Sequence, residues 1–156
     1  MMRILQEVGD PLGLSQLQPR DVLREAWGAT EDGRNLDRLD DFYADDFVRH
    51  CGRDWTREEF KVLMQELQSG FPDLKYETAT LLQDGDQIAY RWVATGTHLG
   101  VYLGALPTNR TVAFSGITIS RVDEGRIVED WASWNEVSLL HELGILPIDR
   151  APGGVR

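Results

Sequence analysis

The feature that most constrains this fold is a change of period at Leu74. Before it, apolar residues recur at helical spacing. After it they alternate over four runs, at about 74 to 83, 86 to 98, 110 to 122 and 125 to 135. "QDGDQ" and "VDEGR" are hairpin turns between these runs, and "LGVYLGALPTNR" is a longer loop joining the second to the third. Helices followed by a four-strand meander predict an α+β domain, with one curved antiparallel sheet wrapped around N-terminal helices.

The first half supplies those helices. Pro19 suits a first helical turn, and Val22, Leu23, Ala26 and Trp27 make one stripe up to Thr30. Leu36, Leu39, Phe42 and Tyr43 mark a short second helix, and "DDFVRH" reads as a brief strand. "TREEFKVLMQELQSG" carries Thr56 with Glu59 three residues later, a capping box, then Phe60, Leu63, Met64 and Leu67 on one face and Gly70 as a stop. "VSLLHELG" closes the domain as a helix stopped by Gly144. The expected organisation is a mobile segment at 1–18, one domain at 19–147 and a tail at 148–156.

Strand alternation assigns faces. Leu74, Tyr76, Thr78, Thr80 and Leu82 are expected on one face, and Ile88, Tyr90, Trp92, Ala94, Gly96 and His98 on one face of the next strand. In the last strand Val128, Asp130, Ala132 and Trp134 form one row, and Ile127, Glu129, Trp131, Ser133 and Asn135 the other. Neither row is purely polar, so both faces need cover. Helices would supply one cover and a second subunit the other, which predicts a homodimer using residues such as Trp131 and Ile117.

Sixteen basic against 26 acidic residues give a net charge of −10, which argues against nucleic acid and anionic membrane as partners. No apolar run approaches a membrane span, no apolar signal core opens the chain, and the single Cys51 forms no internal disulfide, so a cytoplasmic protein is expected. Cys51 adjoins His50, but neighbours on a strand point to opposite faces, which favours a packed thiol over a nucleophile and base. Histidines at 50, 98 and 141 lack metal-site spacing, and no phosphate or dinucleotide loop is present. A cofactor-free, metal-free function is the expectation.

"GTH" followed by glycine, "LPTNR", "GRIVEDW" and the closing "LLHELG", in that order, resemble the SnoaL-like polyketide cyclases of the nuclear-transport-factor-2-like superfamily. With the preceding helices the resemblance covers roughly residues 20 to 147. It implies a cone-shaped half-barrel with a deep apolar pocket. Aldol cyclases of the family place an acid/base aspartate just after the motif's tryptophan or its equivalent. The matching position here is Ala132, which moves no proton, while a histidine position two residues earlier matches Asp130 and another polar pocket position matches Thr118.

Parity and resemblance together make His98, Asp130, Glu136 and Tyr90 the catalytic candidates, with Tyr43, Phe47, Trp92, Phe114, Thr118 and Trp134 as pocket lining. An apolar cavity raises a carboxylate's pKa and suits it to proton transfer near neutral pH. His98 would be its partner and Tyr90 a donor to a developing oxyanion. Plainer readings stand beside these. Asp130 can be salt-bridged to an arginine, His98 can be a loop residue satisfied by backbone, and Glu136 can place charge at a helix N-terminus capped by Asn135. Asp130→Asn is expected to leave folding nearly unaffected. The function implied is a cofactor-independent cyclase or isomerase of secondary metabolism acting on a hydrophobic aromatic substrate, polyketide-like or epoxide-bearing. The alternative is a protein that binds such a molecule without chemistry.

Overall fold

The computed structural model describes residues 10–30 and 34–147. Four α-helices lie against a six-stranded sheet: α1 (Pro19–Thr30), α2 (Leu39–Phe42), β1 (Tyr43–Cys51), β2 (Arg53–Thr56), α3 (Arg57–Gly70), β3 (Lys75–Asp84), β4 (Gln87–Thr97), β5 (Thr111–Asp123), β6 (Arg126–Trp134) and α4 (Glu136–Glu142). The strand order is β2-β1-β6-β5-β4-β3. β3 to β6 form the expected antiparallel meander. The expectation of a wholly antiparallel sheet is corrected at β1, which pairs parallel to β6 and carries β2 on its outer edge. Turn residues announce hairpins, but a parallel pair between strands so far apart in sequence has no such local signal.

Local chemistry accounts for the elements. The Thr56 hydroxyl accepts the Glu59 amide, and the Glu59 carboxylate accepts the Thr56 amide, which completes the capping box of α3. Glu124 and Gly125, both at positive φ, make the two-residue β5–β6 turn that matches strand twist. A side chain at Gly125 would lie 2.3 Å from the Leu14 carbonyl carbon, because a short 3-10 turn at Leu14–Gln16 packs on that hairpin. Residues 10–18 thus make contacts with the domain: the Asp10 carboxylate accepts the Leu14 and Ser15 amides, and Leu14 is buried. Residues 1–9 and the tail at 148–156 lie outside the described residues.

Two irregularities redirect the faces. The β3–β4 register shifts between Thr78 and Thr80, so Tyr76 and Leu81 pack on the core while Leu82 is 66% exposed, contrary to the alternation expected from Leu74 to Leu82. The β5–β6 register shifts likewise at Val128, which puts Ile127 and Asp130, rather than Val128 and Asp130, on the buried side. Beyond each bulge the parity is regular. In β4 Ile88, Tyr90, Trp92 and Ala94 are buried in the expected row.

The core fills the space between the helices and the concave side of the sheet, with Val22, Leu23 and Ala26 of α1 and Phe60 and Leu67 of α3 facing Ile88, Val112, Val122 and Ile127. At Gly116 the sheet admits no side chain: a Cβ would meet Trp92 Cζ2 at 2.3 Å and both the Ser133 oxygen and Trp134 Cβ at 2.8 Å. Gly116→Ala is expected to destabilise the fold by about 1–3 kcal/mol through overpacking, read as a lower urea midpoint at unchanged slope.

Candidate active site

A cavity of about 100 Å³ opens between α1, α3 and the concave sheet face. Its wall is aromatic and aliphatic. Trp27 stands edge-on to Tyr90 at 5.0 Å between ring centroids, and Phe114 and Trp134 lie 5.5 Å apart, with Trp92 next to both. Leu63, Met64 and Leu67 of α3 close the other side. Among the described residues that line it, the charged groups are Arg49 and Asp130.

Those two face each other as partners in the β1–β6 register, with Arg49 Nη1 donating to Asp130 Oδ2 at 2.9 Å. Both are buried, at 7% and 0% exposure. Ser120 Oγ donates to the other Asp130 oxygen at 2.5 Å, and the Tyr90 hydroxyl lies 3.3 Å from the Ser120 hydroxyl, which links Tyr90 to Asp130 through one intermediate oxygen. Trp92 Nε1 donates to Thr118 Oγ1 at 3.1 Å, so the indole is satisfied and its ring is held against the cavity. Arg49 also lies over the Phe60 ring, 4.8 Å from its centroid.

Burial raises the Asp130 carboxyl above its ordinary range, with Arg49 and Ser120 pulling the other way. Burial, the largest influence, would lower Arg49, but the Asp130 charge together with the neighbouring Tyr90, Tyr43 and Cys51 outweighs it, and the guanidinium stays firmly protonated. Tyr90 is pushed up by burial and by the Asp130 charge, so it acts as a hydrogen-bond donor rather than as a phenolate.

The structure thus brings Tyr43, Tyr90, Trp92, Phe114, Thr118, Asp130 and Trp134 to one cavity. It does not bring the other three candidates there. Phe47 sits behind the wall, edge-on to Tyr43 at 4.9 Å and 6.0 Å from Phe60. His98 follows the parity of Tyr90 and Trp92 but lies past the end of β4, fully buried beside Phe71, where its Nδ1 accepts the Thr108 amide at 3.2 Å and burial lowers its pKa. Glu136 opens α4, next to an Asn135 cap that accepts the Ser138 amide at 2.9 Å, and accepts the Tyr102 hydroxyl at 2.9 Å. It borders a separate, open hollow with Arg91 and Ser115.

Arg49 and Ser120 were not singled out by sequence reasoning. A signal existed for each: Arg49 shares a row with Phe47 in "DDFVRH", and Ser120 follows Phe114, Gly116 and Thr118 in an otherwise buried row. What alternation cannot supply is the partner across the sheet. Ala132, at the position where the resemblance implies an aspartate, pairs with Thr118 in the β5–β6 register.

A curved, unclosed sheet with helices over its concave side and a cavity between them makes this a cone fold of the nuclear-transport-factor-2-like kind. The family model for SnoaL-like polyketide cyclases matches residues 20–143, and the chain belongs to that family. Among solved structures it is similar to AclR of Streptomyces galilaeus, a candidate hydroxylase, at 27% identity and a TM-score of 0.75 over 83% of this chain and 97% of that one. It is similar to IdmH of Streptomyces antibioticus, a candidate polyketide cyclase, at 33% identity and a TM-score of 0.72 over 82% and 99% of the two chains. A SnoaL-like protein of Jannaschia sp. CCS1, at 18% identity and a TM-score of 0.71 over 83% and 93%, shares the fold. No curated protein matches the chain at a significant level.

The buried pair changes what Asp130→Asn does. The expectation of unaffected folding ignored Arg49, which the substitution leaves as an uncompensated buried charge. Asp130→Asn is expected to cost about 3–5 kcal/mol in urea unfolding, and Arg49→Gln added to it to recover much of that loss, because breaking a buried pair costs more than replacing both members.

Proposed function

We propose that the chain is a cofactor-independent cyclase or isomerase that moves protons on a hydrophobic aromatic substrate, polyketide-like or epoxide-bearing, held in this cavity. The observation that carries the reading is Asp130, the one carboxylate among the described residues lining a largely aromatic and aliphatic chamber. A carboxyl raised by burial accepts a proton from carbon or oxygen acids and returns it without leaving the site. Ser120 and Tyr90 orient it and connect it to the aromatic wall. Family membership and the likeness to IdmH support ring closure, and the likeness to AclR keeps a hydroxylase-type outcome among the chemistries of the fold.

Turnover of a panel of aromatic polyketones and epoxides, followed by mass spectrometry of the products, tests this. Asp130→Asn, assayed where circular dichroism shows it folded, is expected to lose about a hundredfold or more, and Tyr90→Phe less. Glu136→Gln and His98→Gln, which lie away from the cavity, are expected to stay near wild type. Full turnover in Asp130→Asn would sink the acid/base reading. Ala132 favours a second reading, a binder without chemistry, which tight binding with no product across the panel would establish.

We also propose that a second copy covers the outer sheet face. Ile117, Ile119 and Trp131 are 56%, 37% and 38% exposed there, and Trp131 stacks on His50, itself held between Asp54 and Glu129. Apolar side chains ringed by ion pairs are the pattern of an interface core and its rim. Light scattering at micromolar concentration is expected to give a dimer, and Trp131→Glu a monomer. A wild-type monomer would contradict it.

A further inference from the structure

Arg49 has more donors than the protein uses. Among the described residues its guanidinium makes a single hydrogen bond, from Nη1 to Asp130, and its Nε is buried with no partner. The side chain lines the cavity at 7% exposure. A guanidinium carries five N–H groups in a fixed fork, and a buried donor without an acceptor is destabilising unless a ligand completes it. Its Nη2 likewise has no hydrogen bond among the described residues, so the side chain that lines the cavity carries donors with no protein acceptor.

Resting on the reading of the cavity as an aromatic substrate site, we propose that Arg49 is its oxyanion-binding residue and that the substrate is an enolisable carbonyl compound whose oxygen accepts from the open edge of this guanidinium. Asp130 then removes a proton from the carbon beside that carbonyl. The C–H bond breaks and its proton goes to an Asp130 oxygen. The electron pair forms the C=C bond, and the carbonyl π pair comes to rest on oxygen as an enolate facing Arg49. Before the step the guanidinium faces the Asp130 carboxylate, and after it the enolate, with Asp130 neutral. The buried site holds one charge of each sign throughout, so no isolated charge forms in the apolar chamber. Burial of Asp130 favours the neutral acid that this step produces.

The test uses 2-naphthol as an oxyanion probe and 2-methoxynaphthalene as its non-ionisable match, each titrated against wild type, Asp130→Asn and the double variant Arg49→Gln with Asp130→Asn. The double variant carries no unpaired buried charge, and circular dichroism confirms the fold of each. Both probes are expected to bind all three proteins. The absorption spectrum of bound naphthol is expected to show naphtholate in wild type and Asp130→Asn but the neutral phenol in the double variant, an acidity difference of at least tenfold that Arg49 alone accounts for. A structural role for Arg49 would not move this spectral signature. Naphthol that stays neutral in wild type and Asp130→Asn alike, while the methoxy probe binds, overturns the assignment of Arg49 and leaves the cavity reading intact. Failure of both probes to bind any of the proteins overturns the cavity reading itself, and the role of Arg49 with it.

Discussion

The structure depends on one buried ion pair. Arg49 and Asp130 meet across the β1–β6 seam, where the hairpin of β1 and β2 joins the meander. Two opposite charges in an apolar interior add little net stability over a hydrophobic pair, but separating them costs several kcal/mol. A slip of one residue along this parallel seam would turn one of the two side chains to the other face of the sheet and leave each charge unpaired. The pair therefore selects one register for a strand pairing that no tight turn enforces.

The same contact makes the cavity more than a void. Aromatic rings of β4, β5 and β6 build a stiff wall, because Trp92 and Trp134 close over Gly116 and Trp92 is pinned by Thr118. α1 and α3 supply the opposing wall, and the α3 face owes its setting to the capping box that starts it. Into this apolar chamber the seam delivers a carboxylate and a guanidinium, with hydroxyls of Ser120 and Tyr90 on the far side of the carboxylate. Preorganised polar groups surrounded by low-polarity walls are where electrostatic effects on a reaction are largest.

The position of Ala132 takes its meaning from this arrangement. The carboxylate of this chain stands at Asp130, one pleat along β6, and it is paired where a lone acid would titrate freely. His98 and Glu136 lie outside the cavity lining. His98 ties the 98–110 loop through the Thr108 and Asn109 amides, and Glu136 holds the Tyr102 hydroxyl from the start of α4.

By itself the sequence determined the elements and most of the faces. Helical stripes, the Thr56–Glu59 box, the hairpin turns and the buried row of β4 follow from side-chain spacing and backbone preference, which act over a few residues and can be read there. Asp130, Tyr90 and Trp134 line the cavity in keeping with the same parity. Only the tertiary structure decided what lies beyond local reach. The bulges at Ala79 and Val128 reset the faces of Leu81, Leu82 and Ile127, and the end of β4 carried His98 away from the chamber that its parity pointed to. The parallel β1–β6 seam joined residues 81 positions apart and gave Asp130 its arginine. A periodic pattern records which way a side chain points, whereas a partner across the sheet is chosen by the packing of distant segments.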